Sequence, residues 1–225
     1  ARAGRAVQVR HVGARRANAD HDYGDARVSR DVMEVARDPE VDVLVELIGG
    51  TTVAYDLIKL AIEQGKDIVT ANKALIAEHG NELFALAESA GVQIGFEASV
   101  AGGIPIIKAL RESMAANEVS QVAGITNGTG NFILTEMSSK GRAFDDVLSE
   151  AQALGYAEAD PTFDIDGTDA AHKLVILASL AFGIPLDIDG PIKQGIDTLT
   201  PTDLDYAAEL GYRVKHLGIA RRNED

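Results

Sequence analysis

Asp169 and Lys173 stand four residues apart in EADPTFDIDGTDAAHKL, residues 158–174, and Lys173 opens directly onto the apolar run LVILASLAFGI. On a helix that spacing puts the carboxylate and the ammonium on facing positions one turn apart. An exposed pair of this kind contributes only about 0.3–0.5 kcal/mol. A lysine drawn towards a core, however, needs a charged partner to stay ionised. Glu158, Asp160, Asp164 and Asp166 crowd the preceding loop, which Pro161 kinks. Carboxylates that close repel one another unless a cation lies among them. A substrate ammonium would relieve that repulsion, and Lys173 could then pass a proton to a carbonyl oxygen. The segment DIDGTD is also like the start of a calcium loop, but Val175 stands where such a loop needs its glutamate. Thr168 is expected as the N-cap of the helix, with Asp169 favoured in its first turn. His172 is read as a structural neighbour of the pair.

Other positions carry weaker signals. Lys73, in VTANKALI, follows an expected parallel strand, and the carboxyl ends of such strands line ligand crevices. The plainer alternative is that Asn72 caps the next helix and Lys73 lies in solvent. Gly49, Gly50 and Thr51, in LIGGTT, allow close backbone approach at another strand end. Glu97, in GFEASVAGGIP, adjoins a glycine-rich turn whose carbonyls could face a cation, and NGTGN, 127–131, offers amides at a helix start.

The elements that must position these residues come in two textures. From Val41, VDVLVELI and DIVTA are short apolar runs, while TTVAYDLIKLAIEQG and ALIAEHGNELFALAESAG have helical spacing and end at Gly65 and Gly91. Strands alternating with helices predict right-handed βαβ units and a parallel sheet covered on both faces, with AVQVRHVGA as a further strand of that sheet and VQIGFEA as its last. After Ala98 the rhythm is lost. Helices are expected near 104–114, 130–140, 144–154, 168–182 and 203–211, and strands near 119–126 and 213–220. No G-x-G-x-x-G turn is found, and ARAGRA reads as the tail of a helix, so the first strand and phosphate-binding turn are expected to lie outside this sequence.

Composition narrows the function classes. With 46% hydrophobic residues, 225 residues suffice for one large core or two small ones. Thirty-five acidic residues against 21 basic ones give a net charge of -14, which disfavours nucleic acid or an anionic membrane as partner and favours a small-molecule substrate. The absence of cysteine excludes a thiolate nucleophile or thiolate metal site and suits a cytoplasmic setting. Arginines at 2, 5, 10, 15 and 16 stand apart from this acidity.

In order and spacing, TANKALI, FEASVAGGIPIIKALRE, NGTGNFILTEM and AQALGYAEADPTFDIDGTDAAHKL resemble the homoserine dehydrogenase family over about Val41 to Ala220. The family's commoner third motif is NGTTN, so Gly130 departs from it. The resemblance implies an NAD(P)H-dependent oxidoreductase that reduces L-aspartate 4-semialdehyde to L-homoserine, a step towards threonine, methionine and isoleucine. It implies that Lys173 and Lys73 are catalytic lysines, that Asp169 orients the reacting oxygen or its water, and that Glu158 and Asp164 bind the substrate ammonium. It also implies that Thr51, Lys73 and Gly155 meet the cofactor, that Glu97 with Val100, Gly102 and Ile104 holds a structural sodium ion, and that the protein is a homodimer. The strand AVQVRHVGARR lacks the acid that would hold an NAD ribose, and Arg15 and Arg16 suit a 2′-phosphate, so NADP is preferred with NAD possible. The expected fold class is therefore α/β: an incomplete Rossmann-like parallel-sheet domain over 1–98, and an α+β substrate and dimerisation domain over 99–225. The rivals are a non-catalytic module that binds an amino acid or a partner chain, and a related amino-acid dehydrogenase.

Overall fold

The computed structural model describes residue 4, residues 6–16 and residues 20–223. Arg2, Arg5 and most of the ARAGRA segment lie outside the described residues. The chain divides into two compact units, Ala1–Ser99 and Val100–Asp225.

In the first unit, β1 (His11–Gly13) pairs in parallel with β2 (Arg27–Ser29), and α1 (Met33–Arg37) follows. A second parallel ladder runs β3 (Val43–Glu46), β4 (Asp67–Thr70), β5 (Ile94–Gly95), with α2 (Val53–Glu63) and α3 (Lys73–Ala90) as the crossovers. Gly65 and Gly91 stop these helices at φ 71 and 71, a region that side-chain-bearing residues avoid.

The sheet is covered differently from the sequence-based expectation. Leu44, Glu46, Ile68 and Thr70 are at most 2% exposed, whereas the alternate residues Val43, Val45 and Val69 are 40%, 57% and 42% exposed. Two successive right-handed crossovers running in the same direction put both helices on the same face, so among the described residues that face is the covered one. AVQVRHVGA was expected in this same sheet; among the described residues it contributes only β1, which pairs with β2 and has no ladder to β3. The short β2 and α1 carry too few periodic residues to be read from sequence.

In the second unit, α4 (Ile106–Lys108) passes into a π-helical turn at Ala109–Ser113, where one longer helix was expected. Next come β6 (Gln121–Gly124), α5 (Gly128–Lys140), α6 (Phe144–Ala153), α7 (Thr162–Ile165), α8 (Thr168–Phe182), α9 (Pro201–Glu209) and β7 (Gly218–Arg221). Ile133, Leu134 and Met137 of α5 form a core with Val147, Ile196 and Leu204. Full burial of each such side chain is worth about 1.5–3 kcal/mol. The α9 helix starts two residues before the expected position, because Thr200 and Asp203 make a reciprocal capping box with Pro201 as the first helical residue. The β6–β7 pair is antiparallel, with α8 against one face, while Ile125, Leu217 and Ile219 are 55%, 47% and 46% exposed. Among the described residues, no helix is long and apolar enough to cross a membrane.

Candidate active site

Asn127 starts α5, and its side chain organises the polar centre of the second unit. Its Oδ1 accepts from the Gly130 N–H at 2.7 Å and caps the helix. Its Nδ2 donates to Asp164 Oδ1 at 2.7 Å and to Asp169 Oδ2 at 2.8 Å. Asp169 Oδ2 also accepts from Lys173 Nζ at 2.8 Å, and the same ammonium donates to the Thr126 carbonyl at 2.7 Å. The i, i+4 pair read from sequence is thus formed, with side-chain exposures of 7% for Asp169 and 20% for Lys173. A carboxylate this well buried interacts more strongly with its donors than a surface acid would.

Local chain chemistry delivers these groups. Asp160 accepts from the hydroxyl and the backbone N–H of Thr162, and the hydroxyl first, then the N–H, holds the Asp160 carboxyl below its ordinary range. That turn leads into α7, which carries Asp164. Asp166 then accepts from the Thr168 N–H and hydroxyl at 2.8 and 2.9 Å, and Gly167 reverses the chain at φ 88. This corrects the expected N-cap: Gly167 occupies it and Thr168 is the first helical residue. A Cβ on Gly167 would lie 3.4 Å from both the Gln194 carbonyl and His216 Nε2, besides being strained at that φ. From this turn α8 presents Asp169 in its first turn and Lys173 one turn on.

The acids of the loop therefore divide. Asp164 joins the buried network, Asp160 and Asp166 serve as turn caps, and Glu158 is exposed. Gly155 ends the turn after α6 at φ 76, and the neighbouring Tyr156 carbonyl accepts from Thr129 on α5 at 2.9 Å. His172 is buried and meets Phe163 edge to face. Gly130 takes a helical position where a Cβ would lie 3.3 Å from Asn127 Oδ1 and from Ile196, a close fit at the base of the cap.

The first unit gathers its own groups at strand ends. Glu46, 0% exposed, accepts from the Ile48 and Gly49 N–H groups at 2.7 and 3.0 Å and from the Thr70 hydroxyl at 2.6 Å. Asn72 Nδ2 donates to the Gly50 carbonyl at 2.7 Å while its Oδ1 caps α3 through the Leu75 N–H. One buried carboxylate and one amide thus fix the two loops that carry Thr51 and Lys73. Both of those residues are half-buried, and Lys73 is the first residue of α3. Arg15 and Arg16, past the end of β1, line a cavity of ≈ 640 Å³ with Ala14, Val28, Ser29 and Arg30. Glu97 is half-buried in a 3-10 turn, Glu97–Ser99. In the second unit Val100 is buried, Gly102 and Ile104 are exposed, and the Ile104 N–H donates to the Ala101 carbonyl at 2.8 Å.

Sequence reasoning missed Asn127, Glu46 and Arg30. NGTGN did signal a helix start at Asn127, but the two carboxylates its amide meets are 37 and 42 residues away. Glu46 sits within the apolar run VDVLVELI, whose strand texture carries no sign of its role. Arg30 follows a three-residue strand that the sequence pattern did not show.

Comparison with known proteins adds an independent line. The family model for homoserine dehydrogenase matches residues 105–223, and that for the homoserine dehydrogenase NAD-binding domain matches residues 1–97. A homoserine dehydrogenase of Pseudomonas aeruginosa is 62% identical over 223 residues, 99% of this chain and 51% of its own length. The crystal structure of a homoserine dehydrogenase from Thiobacillus denitrificans superposes with a TM-score of 0.94 at 57% identity, covering 99% of this chain and 52% of that one. A hyperthermophilic archaeal homoserine dehydrogenase in complex with NADPH gives a TM-score of 0.67 at 34% identity, over 76% of this chain and 53% of that one. The chain spans about half the length of these proteins.

Proposed function

Since the chain belongs to the homoserine dehydrogenase family, we propose that the protein carrying it reduces L-aspartate 4-semialdehyde to L-homoserine with NADPH or NADH. The observation that carries this reading is the Lys173 ammonium, held by Asp169 and the Thr126 carbonyl beside an Asp164 tied to the same network. An ammonium has three donors, and two are engaged here. The third is free to meet an aldehyde oxygen as its negative charge develops, and then to transfer a proton. That kind of assistance contributes roughly 10²–10⁴-fold.

Glu158 and Asp164 bind the substrate ammonium, and Asp169 orients the reacting oxygen or its water through the lysine it holds. Exposed Glu158 and half-buried Asp164 supply the negative charge such a group seeks. When bound, the reduced nicotinamide supplies the hydride. Thr51, Lys73 and Gly155 contact the cofactor, with Lys73 as the second catalytic lysine. Its place as the first residue of α3, at the positive end of the helix dipole, suits a lysine that meets an anionic group. Residues 1–98 serve as the dinucleotide-binding domain and residues 99–225 as the substrate-binding and catalytic domain.

NADP is the preferred cofactor. The guanidiniums of Arg15 and Arg16 share a cavity with Arg30, and planar cationic donors fit a 2′-phosphate. A structural sodium ion is held by Glu97 and the backbone of Val100, Gly102 and Ile104, a set of hard oxygen donors suited to that cation. The enzyme works as a cytoplasmic homodimer. Exposed Ile219, with Ile125 and Leu217 beside the strand ends, supports dimerisation, and the lack of cysteine suits the compartment. The test is NADPH oxidation dependent on added aspartate semialdehyde, measured in the longest natural protein that carries this chain. Steady turnover is expected, and its absence at every substrate concentration overturns the reading.

A further inference from the structure

We propose that Asn127 is a positioning residue of this site, setting the arrangement of Asp164, Asp169 and Lys173 from a single amide. The inference rests on the reading of the site given above. It starts from the number of polar atoms Asn127 has. The residue is 2% exposed, and each of its side-chain hydrogen-bonding atoms is engaged. Oδ1 takes the Gly130 N–H, which obliges Nδ2 to face the carboxylates, so the orientation of the amide follows from its partners. Both Nδ2 hydrogens are then used, one on Asp164 and one on Asp169. The backbone carbonyl of Asn127 accepts from Asn131 Nδ2, which also donates to the His216 carbonyl and ties this point of the chain to the segment before β7.

The consequence is electrostatic. Asp164 Oδ1 and Asp169 Oδ2 lie within two hydrogen-bond lengths of each other, where two carboxylates with nothing between them would swing apart. A neutral amide that donates to both holds them without adding charge. Asp169 Oδ2 is the same atom that receives Lys173 Nζ, so fixing its rotamer also fixes the ammonium. An aspartate at 127 could keep the cap but would place a third carboxylate among the other two. A lysine could not make the cap at all. With no polar side-chain atom left for a substrate, Asn127 acts through its neighbours.

Two substitutions separate capping from bridging. Asn127→Ser keeps an oxygen that can cap α5 but has no amide to donate. Asn127→Asp keeps the shape and the cap but replaces the donor with an acceptor. Both are measured in the longest natural protein carrying this chain, by kcat and KM for the semialdehyde and by thermal melting, alongside Lys173→Ala. Expected for Asn127→Ser is a melting temperature close to the parent's and a kcat lower by roughly 10–100-fold, the scale at which slight misplacement of a reacting group acts. Asn127→Asp should lose more. Parent-like kcat in both variants overturns the proposal by leaving Asn127 only its cap, and a fall in kcat matched by collapse of the melting temperature in both overturns it by making the residue a support of the fold rather than of the site's geometry. Lys173→Ala separates the two levels of inference. If it retains turnover, the reading of the site falls and this inference with it; if it is inactive while both Asn127 variants turn over normally, only this inference falls.

Discussion

Lys66 and Lys173 are both withdrawn from solvent, yet their surroundings prepare them for different work. Lys66 is 5% exposed, and its ammonium donates to the carbonyls of Asp38 and Val41 at 2.7 and 2.6 Å. It stands just before β4, at the amino end of a parallel strand, away from the strand ends that carry Thr51 and Lys73. Lys173 donates to one carbonyl and to a carboxylate, and its side chain keeps 20% exposure. Neutral backbone acceptors make Lys66 a strut that ties down the carbonyls of Asp38 and Val41. A carboxylate that is itself held in place, together with an opening to solvent, leaves Lys173 oriented and reachable. Burial of a lysine therefore says little about function until its acceptors and its remaining exposure are known.

The sharpest way to break this contrast is to remove each ammonium. Lys173→Ala should lower kcat by roughly 10²–10⁴-fold in the semialdehyde reduction; equal losses of kcat from both lysines would erase the distinction. Next, Asp169→Asn leaves Lys173 with neutral acceptors like those of Lys66, and should lower kcat by roughly 10–100-fold while melting changes little. Lys66→Met should leave kcat unchanged and cost about 1–3 kcal/mol of stability by denaturant titration, the penalty for stranding a buried acceptor. The smallest effect belongs to an exposed lysine: Lys140, paired with Glu136 one turn away with 57% of its side chain exposed, should cost no more than about 0.5 kcal/mol on change to alanine.

Much of the scaffold was legible because it depends on local periodicity. The βα rhythm from Val41 to Gly91 gave β3, α2, β4 and α3, and the apolar run after Lys173 gave α8 to within its ends. What failed had too little local signal, as with the three-residue β2, or a competing turn, as at Thr168, where Asp166 and Gly167 together supply the start of α8. The covering of the sheet failed for another reason: handedness assigns each helix to a face, but composition alone leaves open whether both faces receive one.

The candidate site divides along the same line. The Asp169–Lys173 pair could be read because four residues on a helix fix the distance between two side chains whatever the rest of the chain does. The selection of Asp164 from a loop of similar acids, the burial of Glu46 and the bridging role of Asn127 could not. Each depends on contacts between residues far apart in sequence, and only folding brings an amide from the start of α5 between carboxylates carried by α7 and α8. The sequence by itself determined which charges exist and how those one helical turn apart face each other. The tertiary structure decided which of them leave water, because that depends on the packing of distant elements and on whether a donor stands ready to replace the lost solvent.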